Sequence, residues 1–231
     1  MNYIIMCGGN YEFPKPLIKI GNETLVERTI RLLRENGIED IYVSTNDPKY
    51  DFLDVPILHH KNTYEHETEL GQPKGCWLEA YYLTDEPTCY LHGDVFFSPE
   101  AIKKIIDAET DDSLFICTFD EQDKLYIRNP MNTGGREPFG YKVVNQKRFR
   151  EGINYLISIQ DEFYIKPFSW HLYRYLNGMD LCKNAKGYKP INDIFNGSKN
   201  YLLINDYTRD VDTIDEINEL RELIKKWNIN V

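Results

Sequence analysis

Short apolar runs alternate with helix-patterned segments through the first half of this sequence, and that alternation restricts the chain to a sheet covered by helices. Tyr3 to Met6 reads as a first buried strand. Thr24 to Asn36 follows as a helix: Thr24 and Glu27 have capping-box spacing, Val26, Ile30 and Leu33 share one face, and Gly37 supplies the stop. Ile41 to Thr45 and Pro56 to Leu58 are the next strands. Gly75 to Leu83 is patterned as a helix that leads into a strand from Thr88 to Leu91. Ser98 caps a helix with Pro99 at its first position and Ile102, Ile105 and Ile106 facing inward, and Leu114 to Phe119 is a further strand. Strands and helices in that order imply an α/β fold of three layers, α/β/α, with a mostly parallel central sheet.

The second half is less regular and richer in aromatic residues. Tyr141 to Val144 reads as a strand, Gln146 to Ile157 and Phe168 to Leu176 as helices, and Tyr201 to Ile204 as the last strand. Thr213 and Glu216 repeat the capping-box spacing, ahead of a terminal helix with Ile217, Leu220, Leu223, Ile224 and Trp227 on its inner stripe. With 231 residues and no repeat, low-complexity tract or linker, the expectation is a single domain. It divides into a regularly alternating half (1–120), a less regular, aromatic-rich half (121–200), and a last strand, acidic segment and helix (201–231).

Charge and cysteine usage narrow the function classes. A net charge of -10 argues against a nucleic-acid partner, because phosphate backbones need a concentrated basic surface. No apolar run approaches a membrane span, and the N-terminus lacks the features of a signal peptide, so a soluble cytoplasmic protein is expected. Five scattered cysteines without a Cys-x-x-Cys pair fit reduced core thiols.

Several short segments carry chemistry. The first strand runs directly into Cys7, Gly8 and Gly9, and Pro14, Lys15, Pro16 and Leu17 follow; paired glycines let backbone N–H groups approach an anion, and the lysine adds a mobile charge. An ordinary turn with a surface lysine is the plain alternative. Asp94 follows a buried strand within Leu91-His92-Gly93-Asp94-Val95, where the carboxyl end of a parallel strand borders a ligand crevice and a carboxylate can hold a metal. Asp210 and Asp212, two apart in an extended segment, point the same way, although acidic residues are also favoured before a helix for electrostatic reasons alone. Gln72 and Gly75 open the segment before the Asp94 strand, where a glutamine could read a nucleobase edge or simply form a turn.

In this order, Gly8-Gly9, Pro14-Lys15-Pro16-Leu17, the segment from Gln72 to Ala80, Gly93-Asp94 and Asp210-Val211-Asp212-Thr213 resemble the nucleotidyltransferases that activate sugar 1-phosphates and related phosphomonoesters. These include the glucose-1-phosphate nucleotidylyltransferases and the small phosphocholine cytidylyltransferases. The resemblance covers about residues 1–100 and 201–218 and implies a Rossmann-like core. It implies that Cys7, Gly8, Gly9, Gln72, Gly75 and Gly93 lie against the nucleotide, and that Lys15 neutralises charge around the α-phosphate. It further implies that Asp94 and Asp212 hold Mg2+ with Asp210 as a secondary ligand or support, and that Arg136, Glu137 and Tyr141 contact the acceptor. The family's glycine-rich loop continues through a further glycine and an arginine, whereas here only Asn10 to Phe13 separate Gly9 from Pro14.

The reaction so implied moves a nucleotidyl group from a nucleoside triphosphate, CTP by preference, to a small phosphorylated acceptor with release of pyrophosphate. A phosphomonoester has a second pKa of about 6, so the nucleophile is ionised without a general base, and His92 is read as a packed neighbour of Asp94. A sugar phosphate or phosphorylated alcohol destined for surface polysaccharide is the expected acceptor. The oligomeric state is left open, a homo-oligomer included. Two rivals remain: a glycosyltransferase of related fold using a nucleotide sugar, and a non-catalytic nucleotide sensor, which the shortened loop would suit.

Overall fold

The computed structural model describes residues 1–8, 14–59, 76–118, 137–184, 200–227 and 229. In chain order the strands are β1 (Asn2–Met6), β2 (Lys19–Ile20), β3 (Glu23–Thr24), β4 (Ile41–Thr45), β5 (Ile57–His59), β6 (Thr88–His92), β7 (Val95–Phe96), β8 (Ser113–Cys117), β9 (Pro138–Val143), β10 (Tyr201–Leu203) and β11 (Arg209–Asp210). The helices are α1 (Leu25–Glu35), α2 (Pro99–Asp107), α3 (Gln146–Ser158), α4 (Ser169–Leu176) and α5 (Ile214–Trp227). Seven strands form one sheet in the order β10-β8-β9-β6-β1-β4-β5. Its pairings are parallel except where β9 inserts antiparallel between β6 and β8.

Side-chain alternation along the strands produces the three layers. Tyr3, Ile5, Val43, Cys89 and Leu91 face α1 and α2, where Val26, Ile30, Leu33, Ile102 and Ile105 meet them. Ile4, Tyr90, Phe115, Tyr141 and Val143 face the other way, against Phe149, Ile153 and Leu156 of α3 and Trp170, Leu172 and Tyr173 of α4. The fold is thus the Rossmann-like α/β/α arrangement expected from the alternating pattern. Ile106, expected inward, is only partly buried at the edge of the first core.

The helix ends form as their sequences dictate. The Thr24 hydroxyl accepts the Glu27 N–H while the Glu27 carboxylate accepts the Thr24 N–H. The Ser98 hydroxyl accepts the Ala101 N–H, and Thr213 and Glu216 exchange the same reciprocal bonds at the start of α5.

The two-residue strands β2, β3, β7 and β11 are not among the expected elements, and one expected helix differs. Of the segment 75–83, expected as a helix, the described part contains only a single 3-10 turn, Trp77–Ala80. Tertiary contacts outweigh the helical pattern there. The Cys76 thiol donates to the Pro167 carbonyl at 3.1 Å, the Tyr81 and Ser169 hydroxyls bond at 3.1 Å, and the Trp77 ring meets Phe168 edge-on.

A third, smaller core lies beside the sheet. Ile18 and Ile20, Leu25, Phe96, Val211, and Ile217, Leu220 and Ile224 pack together. It joins the turn after Lys15, the start of α1, the strand after Asp94 and the segment bearing Asp210 and Asp212.

Candidate active site

The site assembles at the carboxyl ends of β1 and β6, which pair in parallel with Met6 beside His92. Beyond β1 the chain is pinned on both sides: the Cys7 N–H donates to the Ser44 carbonyl at 2.8 Å, and the Thr45 hydroxyl donates to the Cys7 carbonyl at 3.1 Å. The Gly93 N–H donates to the Met6 carbonyl at 2.9 Å. A Cβ on Gly93 would sit 2.6 Å from Cys7 Sγ, 2.8 Å from the Met6 oxygen and 3.1 Å from Pro16 Cγ. Glycine is therefore required for close approach, and the residue serves to bring the Cys7 strand end, the Lys15 turn and Asp94 together.

Lys15 opens a short 3-10 turn, Lys15–Leu17, whose Pro16 is buried. Asp94 enters β7, and β7 pairs antiparallel with β11 so that Val95 lies opposite Asp210. The Val211 N–H donates both to the Asp94 carbonyl at 3.1 Å and to the Asp210 carboxylate at 2.8 Å. Residues more than a hundred apart in sequence are thereby locked side by side. Asp94, Asp210 and Asp212 each offer an oxygen, and these oxygens all lie within 4.8 Å of one another. The Lys15 ammonium stands among them, 3.9 Å from Asp94 and hydrogen-bonded to Asp212.

The electrostatics follow from that crowding. Burial raises the Asp94 carboxyl above the usual carboxylate range, with Lys15 and His92 opposing. Burial and then the charges of Asp94, Asp212 and Glu137 push Asp210 further up. Burial alone would depress the Lys15 ammonium, but Asp94, Asp212 and Asp210 outweigh it and hold its pKa above that of an ordinary lysine. His92 is pulled down by burial against the pull of Asp94. Three carboxyl groups crowd around one ammonium, and hard oxygen donors so spaced suit a divalent cation of the magnesium or calcium type.

Among the remaining expected residues, Gly8 lies directly beyond Cys7 at the exit of β1. Glu137 stands just before β9, close enough to add to the charge on Asp210. Tyr141 is corrected from an acceptor contact to a core residue. It is 1% exposed, its hydroxyl donates to the Ser169 carbonyl at 2.8 Å, and its ring packs among Phe115, Phe149 and Tyr81. Gly9, Gln72, Gly75 and Arg136 fall outside the described residues.

Two supports of the site carry weaker sequence signals. Asp206 and Thr208, ahead of β11, hold the start of α2: the Ser98 hydroxyl donates to Asp206 at 2.6 Å and the Ser98 N–H to the Thr208 hydroxyl at 2.9 Å. Arg28 is buried under β7. Its signal is a basic residue on the inner stripe of a helix, between Leu25 and Leu32.

The sequence profile of the MobA-like NTP transferase domain matches residues 4–171. No sequence among curated proteins matches significantly. Among solved structures, 4-diphosphocytidyl-2C-methyl-D-erythritol synthase from Anaerococcus prevotii is similar over 97% of this chain and 97% of its own, with a TM-score of 0.56 and 14% identity. The inositol-1-phosphate CTP transferase from T. maritima is similar over 100% of this chain and 97% of its own, with a TM-score of 0.53 and 14% identity. The CTP:phosphocholine cytidylyltransferase of Streptococcus pneumoniae is similar over 96% of this chain and 98% of its own, with a TM-score of 0.51 and 14% identity.

Proposed function

This chain belongs to the family of MobA-like NTP transferase domains, and on that premise we propose that it moves a nucleotidyl group from a nucleoside triphosphate to a small phosphorylated acceptor, releasing pyrophosphate. The observation that carries the reading is the meeting of Lys15 with Asp94, Asp210 and Asp212 at the sheet's carboxyl edge. CTP is the preferred donor, a choice supported by the names of the cytidylyl- and CTP transferases of the same fold. The acceptor is a sugar phosphate or phosphorylated alcohol whose activated form enters surface-polysaccharide assembly, as the family resemblance implies.

Asp94, Asp210 and Asp212 would hold Mg2+, which when bound supplies charge neutralisation for the triphosphate. The chain's own residues do the rest. The acceptor phosphate is ionised at neutral pH, its second pKa being about 6, so its oxygen attacks the α-phosphorus without a base. Lys15, a full positive charge on a turn fixed by buried Pro16, meets the charge that builds on the α-phosphate oxygens during attack. Gly8 and Cys7, at the exit of β1, form the backbone floor against which the nucleotide rests. Burial pulls the His92 pKa down against the charge of Asp94, which fits a packed neighbour of Asp94 better than a base.

Pyrophosphate release measured over a panel of triphosphates and phosphorylated acceptors tests the proposal. Release that requires both substrates and a divalent ion is expected. Nucleotide binding without release would replace the enzyme by a sensor, and consumption of a nucleotide sugar without a triphosphate would replace it by a glycosyltransferase.

A further inference from the structure

Arg28 is among the largest fully buried side chains of the protein, 1% exposed, on a helix that contributes no residue to the carboxylate cluster. An arginine so placed is expensive to desolvate, and an apolar residue of similar volume would fill the space at less cost. Its contacts show what it does there. Nε donates to the Phe97 carbonyl at 3.0 Å, Nη1 donates to Glu23 at 3.2 Å, and the guanidinium lies 4.3 Å from the centroid of the Phe96 ring. Glu23 is itself fixed by Arg31, whose Nε and Nη2 donate to its two oxygens at 2.8 and 2.5 Å.

Phe96 and Phe97 follow Asp94 and Val95 in the chain. Strand β7 is two residues long, stands outside the main sheet and pairs only with the equally short β11 among the described residues. So short a ladder cannot hold its own orientation. Arg28 grips it from beneath, by the ring of one residue and the carbonyl of the next, and the ladder in turn sets Asp210 opposite Val95.

We infer that Arg28 is the positioning residue of the carboxylate cluster: its fork, braced by Glu23, fixes β7 and thereby the separation of Asp94 from Asp210 and Asp212. The inference rests on the metal reading of that cluster given above. Arg28 touches no reacting group, and its effect travels through the backbone of β7.

The test is substrate-free Mn2+ binding, followed by electron paramagnetic resonance below the unfolding temperature of each variant. Arg28→Met keeps the apolar stem and Arg28→Lys keeps the charge without the fork; both are expected to lose tenfold or more in Mn2+ affinity. Leu156→Ala, a destabilising change in the core on the opposite face of the sheet, is expected to keep wild-type affinity. Glu23→Gln loosens the brace and serves if the Arg28 variants do not fold, with a two- to fivefold loss expected. Folded variants that bind Mn2+ as the wild type does would overturn the positioning role alone. A wild-type protein that binds no Mn2+ would overturn the metal reading and this inference with it.

Discussion

Lys15 stands among the carboxylates that would hold a divalent ion in the proposed reading, and Lys15→Met should therefore tighten metal binding while it lowers turnover. The substitution keeps the length of the stem and removes the charge. At 3.9 Å from Asp94 the ammonium interacts with that carboxylate alone by about 4 kcal/mol at an effective dielectric of about 20. The two side chains are 17% and 29% exposed, so solvent screening and desolvation cut the net value to about 1.5–3 kcal/mol. A metal entering the wild-type site must break that interaction, whereas in Lys15→Met no ammonium competes for the carboxyl oxygens. At 1.4 kcal/mol per decade, Mn2+ should bind the variant about ten- to a hundredfold more tightly without nucleotide, measured by isothermal titration calorimetry near neutral pH. Turnover should fall by about 10²- to 10³-fold, the usual consequence of removing one preorganised charge from a transition state. Equal or weaker Mn2+ binding in the variant would refute the competition between lysine and metal.

Four further outcomes are expected. Asp94→Asn, nearly isosteric, should remove divalent-dependent pyrophosphate release by at least about 10³-fold while circular dichroism and melting temperature stay close to wild type; normal turnover would remove Asp94 from the site. Gly93→Ala places a Cβ 2.8 Å from the Met6 carbonyl and 3.1 Å from Pro16, so it should displace the Lys15 turn and lower kcat about tenfold or more. Lys142, 7% exposed, donates to the Ile105, Ile106 and Ala108 carbonyls at 3.0, 2.8 and 2.7 Å, capping α2. Chemical denaturation of Lys142→Met should show a loss of about 2–4 kcal/mol with the metal site unaffected. Burial, followed by the charge of Arg174, lowers the His171 pKa from 6.5 to about 4, and its Nδ1 accepts the Phe168 N–H at 3.3 Å. The unfolded chain then binds more protons than the folded one between these values, so stability should fall from pH 6.5 towards pH 4, by up to about 3 kcal/mol, a slope that His171→Gln should flatten.

The parts of the fold legible in the sequence are those written in a repeating local code. The capping boxes at Thr24 and Thr213, the Ser98-Pro99 start and the apolar runs of β1, β4 and β6 each concern residues within a few positions of one another. Where distant contacts decide, the code misleads. The 75–83 segment carries a helical pattern, yet Cys76 and Tyr81 are held by Pro167 and Ser169, nearly ninety residues away or more. The family resemblance places Tyr141 against the acceptor. The antiparallel insertion of β9 between β6 and β8 turns its ring into the core instead.

The candidate site was legible in its residue types and silent in its geometry, for a reason that the third core makes plain. Asp94 and Asp210 meet through two strands of two residues each, too short to carry any periodicity, and what steadies them is packing from elements far apart in the chain. Phe96 takes one side of that core, Val211 and α5 another, and Ile18 and Ile20 bring in the turn that carries Lys15. Each charged group is thus one to three residues from a buried apolar anchor, with Asp94 two before Phe96, Asp210 and Asp212 flanking Val211, and Lys15 three before Ile18. Moving any anchor displaces a charge whose function depends on distances of a few ångströms, so the rigidity of the site is set by a small core that the acidic motifs themselves do not reveal. Arg28 reaches the same core from beneath through Phe96, which explains how a residue on a helix outside the cluster can govern the spacing of its carboxylates.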